Sequence, residues 1–185
     1  MWKFISELVF CKIMGWKFKG GEHIKKAPKA MFAPIPHTSY WDFPIGLIIR
    51  EVFDINIRFA AKDSLFKWPF GWIFKKLGGY PVDRSKSNNM VEAVAKIYAE
   101  HESFYLCIAP EGTRKKVKKL KTGFYYISKL ANVPIILVRF NFGDKIVEFS
   151  EPFYTTDDLE KDFEYIHQYF KGIKGKYPEL SFGID

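Results

Sequence analysis

The amino-acid sequence predicts an α/β fold: a single domain with a largely parallel, mixed sheet flanked by helices. Short continuous apolar runs, typical of strands buried on both faces, alternate along the chain with segments of helical periodicity. The length of 185 residues suffices for one domain with a substantial core but not for two. Strands that alternate with helices in this way commonly form a parallel sheet with helices on its faces.

Composition indicates an anionic partner or a membrane. The net charge is +8 and 18% of the residues are aromatic, a combination that favours a membrane interface or a nucleic acid. Cys11 and Cys107 form neither a disulfide framework nor a metal-type spacing, so we expect a reducing compartment. No apolar run approaches the roughly 20 residues that span a bilayer, and Lys12 interrupts the first one, so neither a transmembrane helix nor a secretory signal is predicted.

The first segment, residues 2–18, has the pattern of an amphipathic helix that ends at Gly20-Gly21. Lysines are interspersed with apolar side chains at spacings of three and four, namely Trp2, Ile5, Val9, Ile13 and Trp16. Tryptophan rings and lysine ammonium groups suit the lipid headgroup layer. We therefore divide the chain into an interfacial helix over residues 1–20 and a main domain over residues 21–185. A terminal helix packed on the core is the alternative.

The rest of the first half contains two predicted strands and two predicted helices. In order they are a strand at 30–34, a helix at 43–50, a strand at 57–61 and a helix from Asp63-Ser64 to Gly78-Gly79. This second helix carries aromatic residues at alternate positions from Phe66 to Phe74, which cannot all face one side. Some rings must be exposed or covered by another surface, such as lipid. Pro69 makes a kink or a break the competing interpretation.

The second half alternates three predicted helices with three predicted strands. The helices begin at Ser87-Asn88, Thr122-Gly123 and Thr156-Asp157, and the strands span 104–108, 134–140 and 145–149. Asn141-Phe142-Gly143, between the last two strands, is typical of a hairpin turn. We therefore expect one antiparallel pair late in an otherwise parallel sheet.

Three polar segments lie where predicted strands or helices give way to turns: His37 to Asp42, Gly79 to Arg84 and Pro110 to Arg114. In a parallel α/β sheet the turns that follow successive strands lie at the same edge, where such proteins bind ligands. We therefore expect the three segments to meet in one site.

The first of these turns offers a pair of residues suited to proton transfer. An imidazole takes up a proton near neutral pH, so His37 is suited to deprotonating an alcohol or an amine. Asp42 lies five residues later and is expected to hydrogen-bond one ring nitrogen and stabilise the imidazolium. The alternative is a histidine in a turn beside an aspartate that caps a helix.

The other two turns offer groups that bind phosphate. Arg84 and Arg114 carry permanently charged, planar guanidinium groups that match phosphate oxygens. Thr113 adds a hydroxyl, Gly112 allows the backbone to approach a ligand closely, and Glu111 can hold an arginine or a ligand hydroxyl. Taken singly, each arginine is more often a surface ion-pair partner with Glu111 as its mate. Together with the His-Asp pair they predict a site that binds phosphate and deprotonates a nearby group.

The order of these motifs resembles the four blocks of the glycerolipid acyltransferases, typified by 1-acylglycerol-3-phosphate acyltransferase. The four blocks are His37-x4-Asp42, Gly79-Tyr80-Pro81-Val82-Asp83-Arg84, Pro110-Glu111-Gly112-Thr113-Arg114 and Val133-Pro134-Ile135. The resemblance implies the fold of that family and transfer of a fatty acyl group from a thioester to a hydroxyl of a phosphoglycerol acceptor. Residues 21–185 then form the acyltransferase domain.

The resemblance also implies roles for individual residues. His37 is the general base and Asp42 its partner, and the acceptor is bound by Ser39, Arg84, Glu111, Gly112, Thr113, Arg114 and Lys121. The acyl or thioester side is lined by Val133, Pro134 and Ile135. Pro36, Pro81 and Pro110 stand where many members carry Asn or Phe, so the identity of the acceptor stays open. Direct attack by the acceptor is favoured over an acyl-enzyme, with Ser39 as a minor candidate nucleophile.

The expected partners follow from the same resemblance and from the charge. Acyl-CoA or acyl-carrier protein is the co-substrate, no further cofactor is expected, and membrane lipids are met peripherally at the cytoplasmic face. A basic run of one Arg and five Lys at residues 114–121 adjoins the third block, over a phosphate site or a lipid surface. No nucleic-acid partner is expected because no such signature is present, and the oligomeric state stays open.

Two other functions compete with this interpretation, and metal chemistry is considered as a third. One is acyl transfer to an amine, as in aminolipid synthesis, and the other is a non-catalytic basic module that binds nucleic acid or anionic lipid. Metal chemistry is not predicted, because His23, His101 and His167 do not have the spacing of a ligand cluster.

Overall fold

The computed structural model describes residues 2–82 and 87–183, and in this part of the chain seven strands form one sheet. The strands are β1 (Lys17–Lys19), β2 (Lys29–Ile35), β3 (Ile57–Lys62), β4 (Gly79–Val82), β5 (Phe104–Cys107), β6 (Ile135–Asn141) and β7 (Ile146–Phe149). The α-helices are α1 (Trp2–Glu7), α2 (Asp42–Phe53), α3 (Gly71–Lys76), α4 (Ser87–Glu100), α5 (Gly123–Ala131) and α6 (Leu159–Phe170). A π-helical turn, Leu8–Ile13, continues α1, and 3-10 turns lie at Gly21–Lys26, Asp63–Phe66 and Pro178–Leu180.

The sheet has the strand order β1-β7-β6-β2-β5-β3-β4. Strands β2 to β6 all run parallel to one another, while β7 is antiparallel to β6 and β1 is parallel to β7. The predicted α/β fold is therefore confirmed, including the antiparallel pair late in the chain. Because the five central strands point the same way, the turns that follow them gather at one edge.

Two hydrophobic cores cover the two faces of the sheet, and β2 contributes to both by alternation. Met31 and Ala33 point into the core formed with α4, α5 and α6, whereas Ala30 and Phe32 point into the core formed with α2 and the N-terminal segment. The connections β2–α2–β3 and β3–α3–β4 move in the same direction across the sheet. Since parallel crossovers are right-handed, α2 and α3 lie on the same face.

The helix predicted over residues 2–18 ends at Ile13, so the prediction is wrong beyond that residue. Gly15 takes the left-handed conformation with φ 73°, and the chain then joins the sheet as β1. Trp16 is only 5% exposed and stacks on Phe10, with ring centroids 5.2 Å apart. Pairing with β7 and burial of Trp16 outweigh helical periodicity here. Within the described chain, no helix combines the length and the apolarity that crossing a membrane requires.

The single helix predicted from Asp63-Ser64 to Gly78-Gly79 is divided, as the alternative based on Pro69 predicts. A 3-10 turn, Asp63–Phe66, is followed by an irregular segment and then by the six-residue α3. Pro69 has no N–H to donate and therefore cannot lie within a continuous helix. A Cβ at Gly71 would lie 1.9 Å from the Phe66 carbonyl oxygen, so the return of the chain over this turn requires glycine.

Candidate active site

The turn from His37 to Asp42 lies at the edge of the sheet where the parallel strands end. It leaves β2 through a cis peptide bond between Ile35 and Pro36 and enters α2 at Asp42. The Asp42 Oδ2 atom accepts the Ser39 N–H at 3.1 Å, and the Ser39 Oγ atom accepts the Trp41 N–H at 3.2 Å. These hydrogen bonds fix the start of α2 relative to the turn. Ser39 is buried and its hydroxyl is already engaged in this local structure.

His37 and Asp42 are in contact, as the spacing predicts. Their Nδ1 and Oδ2 atoms lie 2.9 Å apart, and the side chains are 20% and 2% exposed. The two atoms are in close contact, but the contact does not have the geometry of a straight N–H···O hydrogen bond. Because Nδ1 faces the carboxylate, Nε2 is the nitrogen left to take a proton from a substrate.

The C-terminal segment supports this turn from a second side. The Tyr177 N–H donates to Thr38 Oγ1 at 3.3 Å, and the Gly175 N–H donates to Ser181 Oγ at 2.9 Å. A Cβ at Gly175 would come within 2.5 Å of Thr38 Oγ1, so the close approach of the two segments requires glycine. Thr38 and Ser181 are both buried. The His37 turn is therefore packed against residues more than 130 positions later in the chain.

Glu111, which follows β5, is buried directly behind His37. Its side chain is 1% exposed, and its Oε2 atom accepts the backbone N–H of His37 at 3.0 Å. Burial raises the pKa of Glu111 to about 7; the nearby charge of Asp42 also raises it, while the hydrogen bond from His37 lowers it. Among the described residues, Glu111 Oε1 and Asp42 Oδ1 are buried without a hydrogen-bond partner. Near neutral pH this carboxyl can therefore donate or accept a hydrogen bond at the site.

We expect the Glu111→Gln variant to lose part of the pH dependence of stability. Between pH 4.5, the ordinary pKa of a glutamate side chain, and about pH 7, the unfolded chain has released the Glu111 proton while the folded protein keeps it. The stability that this group contributes at lower pH is therefore lost as the pH rises through about 7, by about 3 kcal/mol in total. Gln keeps an acceptor oxygen for the His37 N–H but carries no charge.

Urea unfolding of both proteins at about pH 5 and about pH 8 measures this difference. The free energy of unfolding should fall less in Glu111→Gln than in the wild type over that interval. Equal pH dependence in the two proteins contradicts a raised pKa for Glu111.

The third block meets the first at the same edge. The Arg114 Nε–H donates to the Ser39 carbonyl oxygen at 3.1 Å, and its guanidinium carbon lies 4.2 Å from the centre of the Tyr40 ring. Gly112 has φ 66°, and a Cβ there would come within 2.9 Å of the end of the Lys121 side chain. Convergence of the first and third turns is thus confirmed, and Lys121 lies beside them.

One predicted site residue lies outside the described part of the chain, and one predicted segment lies apart from this group. Arg84 lies outside the described residues, although β4 runs parallel to β3 up to Val82. Val133, Pro134 and Ile135 lie where β6 begins, at the opposite edge of the sheet from His37. Ile135 pairs with Met31 near the start of β2, whereas Ile35 at its end pairs with Arg139.

This placement separates the fourth block from the His-Asp turn. Four residues of strand separate Ile135 from the level of Arg139, about 13 Å along the sheet. The Pro134 carbonyl oxygen accepts the Met31 N–H at 2.8 Å, and the Ser128 hydroxyl donates to the Val133 carbonyl oxygen. The block is engaged in structural hydrogen bonds, and its three residues are not among those that line the cavity next to His37.

A cavity of about 550 Å³ adjoins the His-Asp pair. It extends between α2 and the sheet from Asp42 to Arg50, about 12 Å along the helix axis. Its polar lining includes His37, Asp42, Thr113 and Arg114, and most of the remainder is apolar. The volume is in the range of small-molecule sites, and a polar end with an apolar body suits an amphipathic ligand.

Two further residues of this cavity were not predicted as site residues. Gly46 lies in α2, and a Cβ built there meets no atom within 4 Å, so it faces open space. A glycine within a predicted helix is the signal that could have indicated this position. Cys107 also lines the cavity, and burial raises the pKa of its thiol to about 12. The thiol therefore stays protonated and is a poor nucleophile.

Comparison with known proteins adds two findings. A family model described as Acyltransferase matches residues 15–141. The chain is also similar in structure to the 1-acyl-sn-glycerophosphate (LPA) acyltransferase PlsC from Thermotoga maritima, with a TM-score of 0.61 and 21% identity. That similarity covers 90% of this chain and 74% of PlsC, and it shows a shared fold. Among curated proteins, none matches the chain.

Proposed function

The chain belongs to the acyltransferase family, and from this membership we propose that it moves a fatty acyl group from a thioester to a hydroxyl of a (lyso)glycerophosphate at the membrane surface. The observation that carries the proposal is one shared location. The His37–Asp42 pair, the Arg114 guanidinium and the apolar cavity adjoin one another at the edge of the sheet. A base, an anion-binding group and a space for a hydrocarbon chain are what this reaction requires.

His37 acts as the general base in this proposal. Its Nε2 atom takes the proton of the acceptor hydroxyl as the oxygen attacks the thioester carbonyl, and Asp42 stabilises the imidazolium. Collapse of the tetrahedral intermediate breaks the C–S bond. The imidazolium then returns the proton to the leaving thiolate. The thioester is already activated, so no further cofactor is needed.

Direct attack by the acceptor is the favoured route. A protonated Cys107 thiol does not attack a thioester, and the Ser39 hydroxyl is buried and accepts a hydrogen bond from Trp41. Neither side chain offers an activated nucleophile. The acyl group therefore passes to the acceptor without an acyl-enzyme.

Arg114 is proposed to bind the phosphate of the acceptor. The Arg114 Nε–H donates to the Ser39 carbonyl oxygen, and the guanidinium lies over the Tyr40 ring. These two contacts orient the guanidinium beside the His-Asp turn. We propose that four further residues complete this phosphate site: Arg84 from the second block, Ser39, Thr113 and Lys121. Glu111 and Gly112 form the floor of the site. Charged hydrogen bonds to a phosphate are among the stronger polar contacts in proteins.

We expect Arg114→Ala to raise the KM for a phosphorylated acceptor about tenfold to hundredfold, with a smaller change in kcat. The lost contact is made to the phosphate and not to the reacting atoms. Steady-state kinetics with lysophosphatidate and with monoacylglycerol, which lacks the phosphate, separate the two effects. Arg114→Lys keeps the charge but not the fork and should be intermediate. An equal loss for both acceptors contradicts the assignment, and the same measurement on Arg84→Ala tests the second block.

The apolar cavity under α2 is proposed to hold the acyl chain, in place of the segment from Val133 to Ile135. The cavity begins at the base pair and runs along α2, so a chain inside it would present its thioester carbonyl near His37. Its apolar lining replaces water around the hydrocarbon, which is the main source of affinity for such a chain.

We expect Gly46→Leu to shift the preference of the enzyme toward shorter acyl chains. The new side chain enters open space inside the cavity, so the value of kcat/KM for the longest accepted donor should fall at least about tenfold. A series of acyl thioesters of increasing length measures the shift. Gly46→Ala is the matched control, because it adds one methyl group and stabilises the helix by up to about 1 kcal/mol. Unchanged chain-length preference in Gly46→Leu contradicts this use of the cavity.

The remaining parts of the proposal concern the donor and the location. The lysines of residues 115–121 adjoin the third block and suit the phosphates of acyl-CoA or the acidic surface of an acyl-carrier protein. The segment α1 with its π-helical turn exposes apolar side chains, among them Phe4 and Ile13, between lysines. This pattern supports a peripheral position at the cytoplasmic face of a membrane.

One assay tests the function. Purified protein is incubated with a labelled acyl thioester and a panel of lysophosphatidate, glycerol 3-phosphate and amines, and the products are read as labelled lipid. Phosphatidate formed from lysophosphatidate supports the proposal. Labelled amide with no labelled ester assigns the amine acceptor instead, and the absence of any acylated product rejects the proposal.

A further inference from the structure

An exposed aromatic segment lies beside the proposed acyl cavity and has no role in the mechanism above. Trp68, Phe70 and Trp72 are 93%, 63% and 65% exposed, although three such rings in one loop would normally be buried. Trp68 and Phe70 lie between the 3-10 turn Asp63–Phe66 and α3, and Trp72 is the second residue of α3. We refer to residues 63–76 as the docking segment.

The charge of this segment complements an anionic surface. Lys67, Lys75 and Lys76 lie among the aromatic residues, and residues 64–82 contain no acidic residue. Segments that enter the headgroup layer of anionic bilayers commonly contain tryptophan and phenylalanine flanked by lysines. A protein partner could also cover the rings, but the segment continues into the cavity proposed for a hydrocarbon chain, which favours a bilayer.

The docking segment is continuous with the wall of the cavity. Leu65 and Phe74, near its two ends, line the cavity together with Gly46 of α2. Helices α2 and α3 share one face of the sheet, and α1 packs against α2 on that face. A bilayer that contacts the docking segment therefore also lies next to the space proposed for the acyl chain.

The distribution of exposed rings over the molecule supports one membrane-facing surface. Within residues 2–82 and 87–183, the large apolar side chains identified as exposed include Phe or Trp only on α1, in the His37 turn and in the docking segment. Across the sheet, the exposed large side chains include Leu130 and Tyr154 but no Phe or Trp. The asymmetry indicates that the α2 face meets lipid and the opposite face meets water.

We propose that the docking segment inserts Trp68, Phe70 and Trp72 into the headgroup layer of an anionic bilayer and so holds the cavity against the membrane. This inference rests on the proposed function, since it gives the acyl chain a path between bilayer and cavity. It adds a second membrane contact to that of α1.

Vesicle binding tests the proposal directly. The full chain is sedimented with vesicles of phosphatidylcholine containing phosphatidylglycerol. The Trp68→Ala/Trp72→Ala variant should bind at least about tenfold more weakly. Each change in the separate Lys67→Gln/Lys75→Gln variant should cost about fivefold, and only on anionic vesicles. Leu130→Ala/Tyr154→Ala, which removes two side chains that are 58% and 55% exposed away from the docking segment, is the control and should bind like the wild type.

A second measurement reports how deeply the tryptophan rings enter the bilayer. Lipids brominated near the headgroup quench tryptophan fluorescence by contact, so wild-type emission should fall on binding. Trp68→Phe/Trp72→Phe keeps the apolar rings while removing two of the five tryptophans, and it should bind normally while losing the part of the quenching that these two rings contribute. Unchanged vesicle binding in the alanine variant overturns the proposal. So does loss of a dimer in that variant without loss of vesicle binding, which would assign the surface to a second copy of the chain.

Acyl transfer measured with short-chain, water-soluble substrates separates this inference from the proposed function. The alanine variant should retain wild-type turnover there, because its substitutions lie outside the cavity lining, and should lose turnover on vesicle-borne acceptor. If the wild type fails to transfer acyl groups but the binding differences hold, only the proposed function is rejected. If transfer occurs and the binding differences are absent, only the docking segment is rejected.

Discussion

Replacing His37 with alanine is expected to lower kcat for acyl transfer by about 10²- to 10⁴-fold, the usual contribution of a positioned general base. The imidazole is partly exposed, so its loss removes little packing and the fold should remain. Steady-state kinetics with lysophosphatidate measures the loss, and circular dichroism checks the fold. Added imidazole should restore part of the rate, because the substitution vacates space at the wall of the cavity.

His101→Ala is the matched control for this experiment. His101 hydrogen-bonds the Ile97 carbonyl oxygen near the end of α4, remote from the site, so its loss should leave kcat unchanged. Near wild-type transfer by His37→Ala would falsify the assignment of the base.

Asp42→Asn is expected to produce the second large loss, about 10²- to 10⁴-fold in kcat, since the same exchange in a Ser-His-Asp triad costs about 10⁴. Asparagine retains an oxygen that accepts the Ser39 N–H, so the turn should keep its shape. It carries no charge to stabilise the imidazolium and can hold the ring in the wrong tautomer. The KM values should change much less than kcat, and both are obtained from the kinetics used for His37.

The two residues should also fail to act independently. Groups that work as a unit show strongly non-additive losses, so His37→Ala/Asp42→Asn should be about as active as His37→Ala alone. Measured losses that multiply in the double variant contradict a coupled pair and would leave Asp42 only the role of shaping the turn.

Sequence patterns predicted the parts of the molecule that local rules determine. Apolar runs identified the central strands, and the parallel alternation brought the turns at His37 and Arg114 to one edge, because parallel strands end together. The five-residue spacing of His37 and Asp42 was sufficient for their contact, since only a turn lies between them and Asp42 is the first residue of α2. These predictions needed only period, spacing and the handedness of crossovers.

The parts that could not be predicted depend on tertiary contacts. Helical periodicity in the first segment continues to Trp16, but pairing of β1 with β7 decides the structure there. The block at Val133 lies at the beginning of the predicted strand 134–140, as it does in β6, but its expected role came from the family resemblance and not from this position. The cavity beside Gly46 is empty space between elements, which no sequence period encodes. Burial of Glu111 likewise arises from the packing of distant turns.

The packing of Gly175 and Tyr177 against Thr38 has a consequence for biosynthesis. Synthesis proceeds from the N-terminus at about 5–20 residues per second, so the first 130 residues leave the ribosome several seconds before the segment around Tyr177. In a nascent chain the His37 turn therefore lacks its contacts with Gly175 and Tyr177. We expect activity to appear only after that segment has emerged and packed against Thr38.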